Sequence, residues 1–177
     1  MIRRKTVRLS EAEYGAGWYF VTICTKDRRP ILADLQPSVG ADDSVRPCVV
    51  SADATLSLTR AGEIVRECLE RLNSNSDGVS VDKYAILPNH IHAIVWLAGS
   101  ADEGRVPPGG QSRPPLQRVI QRFKSISARR CWDLGYTTIW QRSFYDHVIR
   151  GEEDYLRIWR YIDENPARWA EDEYYSE

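Results

Sequence analysis

The sequence YAILPNHIHAIVWL, residues 84–97, decides the fold. It consists of two apolar runs on either side of a Pro-Asn pair. This pattern predicts a β-hairpin with strands at 79–87 and 90–97, joined by a tight turn. The hairpin lies near the middle of the chain and carries two of its three histidines.

The His90-Ile91-His92 motif is the first candidate site. Side chains alternate between the two faces of a strand, so His90 and His92 project from one surface while Ile91 points into the core. Two imidazoles one pleat apart can meet one cation, and histidine is the commonest metal ligand. The alternative interpretation is a half-buried strand that carries two histidines on its solvent-facing side.

A second informative stretch, EEDYLRIWRYIDENP at residues 152–166, predicts an amphipathic helix. Acids open its first turn, Pro166 marks its end, and its apolar residues recur at a spacing of three and four. That apolar stripe consists of Tyr155, Ile158, Trp159 and Ile162. Tyr161 and Asn165 are four residues apart on its flank, from which they can reach into a cleft. Taken alone, Tyr161 is more typical of a packing aromatic.

Together these motifs resemble the HUH endonuclease superfamily and, more narrowly, the single-tyrosine transposases of the REP-associated tyrosine transposase family. The resemblance rests on the Leu-Pro-Asn-His-Ile-His stretch and the Tyr-x-x-x-Asn-Pro helix. It includes the first strand, GWYFVT at residues 17–22, and the motif WQRSFYDH at residues 140–147. These landmarks span most of the chain in the expected order.

The resemblance implies a ferredoxin-like fold of the α+β class, as the alternation of strands and helices also indicates. It implies a metal-dependent single-stranded DNA endonuclease and strand transferase that cleaves near hairpin-forming repeats through a covalent 5′-phosphotyrosine. Tyr161 would be the nucleophile, His90 and His92 two metal ligands, and Asn165 a third. An amide oxygen is a weaker ligand than a carboxylate, so Asn165 is the least secure of the four. Imidazole favours Mn²⁺ as cofactor, whereas availability favours Mg²⁺.

Charge is distributed unevenly, although the net charge is only −1. The amino terminus is basic without an acid and includes Arg3, Arg4 and Lys5. Residues 104–132 hold seven basic residues and no acid, whereas acids dominate from residue 151 onward. A helix predicted at about 115–132 presents three arginines on one outward face, namely Arg118, Arg122 and Arg129. We expect these two basic groups to bind phosphates of single-stranded or hairpin DNA; a merely solvated helix is the alternative.

The 177-residue chain predicts one domain, 1–177, with a variable excursion at about 33–53 and a mobile loop at about 98–112. The excursion is expected to hold a short edge strand at 48–50. A strand at 55–58 precedes a helix capped by Thr59, and another strand is predicted at 139–150. The buried stripe of the basic helix is predicted to consist of Leu116, Val119, Ile120, Phe123 and Ile126.

The cysteine pattern bears on the compartment. Four widely spaced cysteines without a Cys-x-x-Cys pair predict reduced, mostly buried thiols, and no secretory signal precedes them. The longest apolar stretch is far too short to span a bilayer. We therefore expect a cytoplasmic protein without a membrane partner.

Several alternatives stay open at this point. A replication initiator or relaxase of the same superfamily is the nearest enzymatic rival, although such proteins are usually larger. A catalytically silent nucleic-acid-binding module is the rival from another class, but no RNP-like aromatic motif is present. For His147 a structural role is favoured over a catalytic or DNA-contacting one. The sequence does not decide between a monomer and a homodimer.

Overall fold

The computed structural model describes residues 15–37, 50–51, 54–74, 78–98 and 115–171. The strands are β1 (Gly17–Cys24), β2 (Ala33–Pro37), β3 (Val50–Ser51), β4 (Ala54–Leu58), β5 (Val79–Leu87), β6 (His90–Leu97) and β7 (Tyr145–Val148). The α-helices are α1 (Arg60–Asn73), α2 (Pro115–Arg130) and α3 (Glu152–Glu164). The basic amino-terminal residues Arg3, Arg4 and Lys5, together with almost all of the 98–112 loop, lie outside the described residues.

The main sheet is antiparallel, with strand order β5-β6-β1-β7. Along the chain its strands alternate with helices as β1, α1, β5, β6, α2, β7, which is the ferredoxin-like order. The predicted α+β class with an antiparallel sheet is therefore confirmed. A smaller three-stranded sheet, β2-β4-β3, includes the predicted edge strand, which the structure places at Val50–Ser51. The strand β2 within the predicted excursion was not expected.

Helices cover both faces of the main sheet. One face packs against α1 and α2 in an apolar core that includes Ile91, Val65 and Phe123. The other face packs against α3 through Ile158 and Ile162. We call these the α1/α2 face and the α3 face. Because α1 and α2 bury most of the apolar surface, they provide the larger core.

The central hairpin forms as predicted. Its strands β5 and β6 pair from Leu87 and His90 at the turn outward, with a bulge between Val81 and Lys83. The predicted cap also forms, since the Thr59 side chain accepts a hydrogen bond from the Gly62 amide at 3.1 Å. Local sequence signals of turn and cap are thus sufficient to define these boundaries.

The predicted strand at 139–150 is wrong for its first half. Trp140 forms only an isolated bridge to Thr25, and the regular strand is limited to Tyr145–Val148. Lys124 of α2 donates hydrogen bonds to the carbonyls of Gln141 and Ser143, at 2.9 and 2.8 Å. A side chain therefore takes carbonyl groups that a continuous strand would offer to a neighbouring strand.

The predicted burial of Ile126 is also wrong, because 43% of this residue is exposed. The buried stripe of α2 continues from Phe123 to Ser127 and then Cys131, which rotates Ile126 toward solvent. The helix ends at Arg130, two residues before the predicted end. The hydroxyl of Ser127 accepts a hydrogen bond from the Trp140 indole at 2.9 Å, which explains a polar residue in this stripe.

Helix α3 follows its predicted stripe, with Ile158 and Ile162 buried. Pro166 stops the α-helix but not the helical path, since a 3₁₀ turn runs over Asn165–Glu171. Cys24, Cys68 and Cys131 are buried, as predicted, and the fourth cysteine lies outside the described residues. No helix in the described part of the chain is both long and apolar enough to cross a membrane.

Candidate active site

His90 and His92 project together from β6 onto the α3 face. Their Nε2 atoms lie 2.9 Å apart, and both residues are fully buried. The Nδ1 atom of His90 lies 2.9 Å from the Asn89 side-chain oxygen, and that of His92 lies 2.9 Å from the Thr22 hydroxyl. The interpretation as a solvent-facing pair is therefore wrong. Each ring is oriented by a partner on its far nitrogen, as in metal-binding histidines.

These contacts determine how the ring protons can be arranged. A neutral His90 that donates from Nδ1 to Asn89 carries no proton on Nε2. The short Nε2 contact then needs His92 to donate from its own Nε2, while the Thr22 hydroxyl donates to His92 Nδ1. Because a hydroxyl can also accept, rotating the Thr22 O–H lets His92 donate from Nδ1 instead. Neither Nε2 atom then carries a proton, so both have a lone pair that a cation could use.

Tyr161 joins this pair from α3. Its hydroxyl lies 3.3 Å from His92 Nε2, and its ring stands edge-on to Phe20 at 6.0 Å. The residue is 42% exposed, so its hydroxyl is held at the imidazoles while one side faces solvent.

Asn165 lies one helical turn beyond Tyr161, at the start of the 3₁₀ turn. The residue is buried, and within the described part of the chain its side-chain oxygen accepts no hydrogen bond, although the residue makes another interaction. Trp169 on the same turn packs at 5.7 Å from the His90 ring. Along the chain, Asn165 therefore lies between Tyr161, which contacts His92, and Trp169, which contacts His90.

The residues present fit a divalent cation. Within the described ranges, no group of three or more His, Cys, Asp or Glu side chains could hold a metal ion. The predicted donor set instead combines two imidazoles with an amide oxygen. Two nitrogens at right angles around a cation, each about 2.1 Å away, are separated by about 3 Å. The observed Nε2 separation of 2.9 Å matches that spacing.

Tyr155 is a poor competitor for the role of nucleophile. Its hydroxyl donates a hydrogen bond to Asp82 on β5. Burial, reinforced by the bond to Asp82 and by its negative charge, raises the pKa of Tyr155 to about 12. The phenolate that attack requires is therefore harder to form at Tyr155 than at an unperturbed tyrosine.

Polar contacts fasten α3 to the sheet. Lys83 forms a salt bridge with Asp163 and lies 3.9 Å from the centre of the Trp159 ring. At the other end of the helix, His147 Nε2 lies 2.8 Å from an Asp154 carboxylate oxygen. These contacts hold the helix in the register that brings Tyr161 to the histidines.

His147 belongs to this attachment rather than to the histidine pair. Burial raises the pKa of the Asp154 carboxyl, but hydrogen bonds from His147, the Arg150 backbone amide and Arg157 lower it more. The pKa of Asp154 is therefore below its ordinary value. The carboxylate thus links β7 to the first turn of α3, where a negative charge is also favoured by the helix dipole. This geometry supports the structural role favoured for His147.

The arginines predicted to bind DNA are not brought to this site. They are exposed on α2, which packs on the α1/α2 face, opposite the histidines; they are Arg118, Arg122 and Arg129. Phosphate binding by these residues, and by the amino-terminal group, stays a prediction. Sequence reasoning missed Thr22 and the ring-orienting role of Asn89. A hydroxyl within an apolar strand was the available signal for Thr22.

No family model matches this chain. An uncharacterized protein of Haemophilus influenzae (strain ATCC 51907 / DSM 11121 / KW20 / Rd) is 26% identical over 184 residues, which cover 97% of this chain and 93% of that protein. Among solved structures, a REP-associated tyrosine transposase bound to a REP hairpin superimposes with a TM-score of 0.56 at 18% identity. The match covers 96% of this chain and 73% of the transposase chain.

A second solved structure, from Deinococcus radiodurans R1, aligns over 92% of this chain with a TM-score of 0.45 and 13% identity, which is too loose to define a shared fold. The TM-score of 0.56 to the REP-associated tyrosine transposase does define a shared fold. The resemblance inferred from the sequence is therefore confirmed in the fold.

Proposed function

We propose that this protein is a metal-dependent, single-stranded DNA endonuclease and strand transferase that uses Tyr161 as its nucleophile. The observation that carries the proposal is the position of the Tyr161 hydroxyl, 3.3 Å from His92 Nε2 beside a pair of converging imidazoles. The fold shared with a tyrosine transposase that was solved with a REP hairpin supports it. Hairpin-forming DNA is the substrate we propose.

In the proposed reaction the Tyr161 oxygen attacks a DNA phosphorus. A new phosphorus–oxygen bond forms to the tyrosine while the bond to the 3′ oxygen of the preceding nucleotide breaks. That oxygen leaves as a 3′ hydroxyl, and the phenol loses its proton. The 5′-phosphotyrosine keeps the energy of the phosphodiester bond, so a second 3′ hydroxyl can reverse the step and join two strands.

His90, His92 and Asn165 would hold the cation, Mg²⁺ or Mn²⁺. When bound, such an ion polarises a nonbridging phosphate oxygen and orients the scissile bond. Thr22 and Asn89 orient the two imidazoles, and α3 places the tyrosine. All of these residues come from one chain, so we propose cleavage within a single protomer. This arrangement needs no homodimer.

The test is capture of the covalent intermediate. A radiolabelled pool of DNA hairpins with randomised single-stranded flanks is incubated with the protein and Mg²⁺, and adducts that survive denaturation are counted. We expect wild-type protein and Tyr155→Phe to form the adduct. Tyr161→Phe should form none, because phenylalanine keeps the ring but lacks the hydroxyl.

DNA binding and thermal unfolding of Tyr161→Phe serve as controls and should match those of wild type. An adduct in Tyr161→Phe would assign the nucleophile elsewhere. DNA binding without any adduct in wild-type protein would favour the catalytically silent nucleic-acid-binding module.

A further inference from the structure

Several residues of the motif at 140–147 stabilise the fold. Trp140 is buried and donates to Ser127, Phe144 packs on the apolar core, and His147 pairs with Asp154. Arg142 and Tyr145 are among the exposed residues of this motif. Tyr145 is 51% exposed.

Tyr145 lies in the same row as the candidate site. Thr22 on β1 pairs with His92 on one side and with Tyr145 on the other. Strands are about 4.8 Å apart, so the backbone of Tyr145 lies about 10 Å from that of His92 on the same sheet. Phe20 contacts the rings of both Tyr145 and Tyr161, at 6.3 and 6.0 Å.

The loop before Tyr145 is held rigidly. Lys124 donates to two of its carbonyls, and the Gln141 amide donates to the Cys24 carbonyl at 3.0 Å. Functional side chains carried by loops are effective when a rigid scaffold positions them. The anchoring contacts therefore fix the position from which Arg142 and Tyr145 are presented.

A second basic loop adjoins the first. The Lys26 amide donates to the Ile139 carbonyl, and the Arg29 guanidinium donates to the Thr138 carbonyl, each at 2.8 Å. Asp27 and Arg28 both adopt positive φ, 56° and 54°. This conformation is costly for residues other than glycine and clusters at functional sites.

The two loops form what we call the basic rim: the exposed side chains of Lys26, Arg28 and Arg142. The rim lies at the end of the sheet where Cys24 pairs with His90. The acids of the first turn of α3 lie at the other end, where Ile149 hydrogen-bonds to Trp18. Of the groups on these two loops, only Asp27 opposes the positive charge.

We propose that the basic rim and Tyr145 bind the single-stranded DNA next to the scissile phosphate. The rim contacts phosphates, and the Tyr145 ring stacks on a base. This inference deepens the proposed function and rests on its assignment of DNA as substrate. An exposed aromatic beside a positive groove is the arrangement by which proteins bind single strands without reading their sequence.

The test compares two fluorescent probes. One is oligo(dT) of about 20 nucleotides, longer than a typical single-strand site, and the other is an abasic strand of equal length. Tyr145→Ala should weaken binding of oligo(dT) by roughly 5- to 100-fold, because it removes one base-stacking contact. Binding of the abasic strand should stay unchanged. Tyr145→Phe and the matched control Trp132→Ala, an exposed aromatic that follows α2, should bind both probes as wild type does.

Charge is tested separately. Arg142→Ala should weaken both probes and reduce the log–log salt dependence by about 0.7, the value for one phosphate contact on a single strand. Arg71→Ala, at an exposed arginine of α1 to which no DNA contact is assigned, is the matched control and should leave the slope unchanged. An unchanged slope in Arg142→Ala together with a lower slope in Arg71→Ala would place the strand on the α1/α2 face and overturn the inference.

Three further results would also overturn it: no oligo(dT) binding by wild-type protein, wild-type affinity in Tyr145→Ala, or an equal loss on both probes. Adduct formation judges the proposed function independently. If adducts form but Tyr145→Ala binds normally, only the rim inference fails. If no adduct forms but stacking is lost, the rim stands as a binding surface and the nuclease proposal fails.

Discussion

The two faces of the main sheet differ in what they bury. The α1/α2 face is an apolar core, in which Ile91, Val95 and Leu116 are fully buried. The α3 face buries fewer apolar residues, and beside them it buries Thr22, His90, His92 and Asn165. Burying polar groups costs free energy unless they are hydrogen-bonded. The α1/α2 face therefore stabilises the fold mainly by burying apolar side chains, whereas the α3 face also buries polar side chains that hydrogen-bond to one another.

Strand β6 shows this division within three consecutive residues. Ile91 is buried among the side chains of one face, while His90 and His92 are buried on the other. All three are inaccessible to solvent, so burial alone does not separate core from site. Core and candidate site residues are instead distinguished by the chemistry of the side chain and by the face on which it lies. Variants of these residues should therefore break different properties.

The largest effect is expected at the histidines. His90→Ala and His92→Ala should each reduce adduct formation by roughly 1000-fold, because a bound metal contributes several kcal/mol of charge stabilisation in the transition state. Asn165→Ala should lose less, because an amide is the weakest of the three ligands. Rates of adduct formation across a Mg²⁺ and Mn²⁺ titration measure this.

Unfolding curves of the same variants show whether each remains folded. Normal cleavage in Mg²⁺ by all three would show that the metal-site assignment is wrong. The α3 face would then differ from the α1/α2 face in its buried polar residues but not in a metal-binding function.

Ile91→Ala tests the stabilising face. Deleting this buried side chain should lower the free energy of unfolding by about 2–5 kcal/mol, as expected for a large-to-small change in a packed core. The protein that remains folded should still form the adduct, because Ile91 points away from Tyr161. Denaturant unfolding gives the stability, and adduct yield per folded molecule gives the activity. If Ile91→Ala kept wild-type stability but formed no adduct, the assignment of stability to the α1/α2 face and of activity to the α3 face would be wrong.

Thr22→Val sharpens the comparison, since it replaces a buried hydroxyl on the α3 face by a methyl group of similar size. His92 then loses the partner of its Nδ1 atom. Apparent metal affinity should fall by about 10- to 100-fold, the usual cost of removing an outer partner of a metal-binding histidine. Thr22→Ser keeps the hydroxyl and should restore the affinity. A metal titration of adduct formation separates the two, and equal affinities would make Thr22 a packing residue only.

Local signals predicted much of this arrangement. The alternation around His90 and His92 and the Pro-Asn turn defined the hairpin, and the spacing of Tyr161 and Asn165 defined the flank of α3. Long-range contacts were not predictable in this way. The path of residues 139–144 depends on Lys124, which belongs to another helix, and the exposure of Ile126 depends on which side of α2 meets the sheet. A single sequence does not encode such contacts as a local pattern.

The smallest effect is expected from the arginines of α2, which remain the sequence-based candidates for phosphate binding. If Arg118, Arg122 and Arg129 each contacted one phosphate, replacing all three by glutamine would reduce the log–log salt slope by about 2. Because α2 packs on the face opposite Tyr161, we expect the slope to change by less than about 0.7, which is the value for one phosphate contact. The rate of adduct formation at saturating DNA should stay unchanged. Binding titrations over a salt series decide between the values. A fall near 2 would show that the DNA reaches around the sheet, so that the stabilising face also binds substrate.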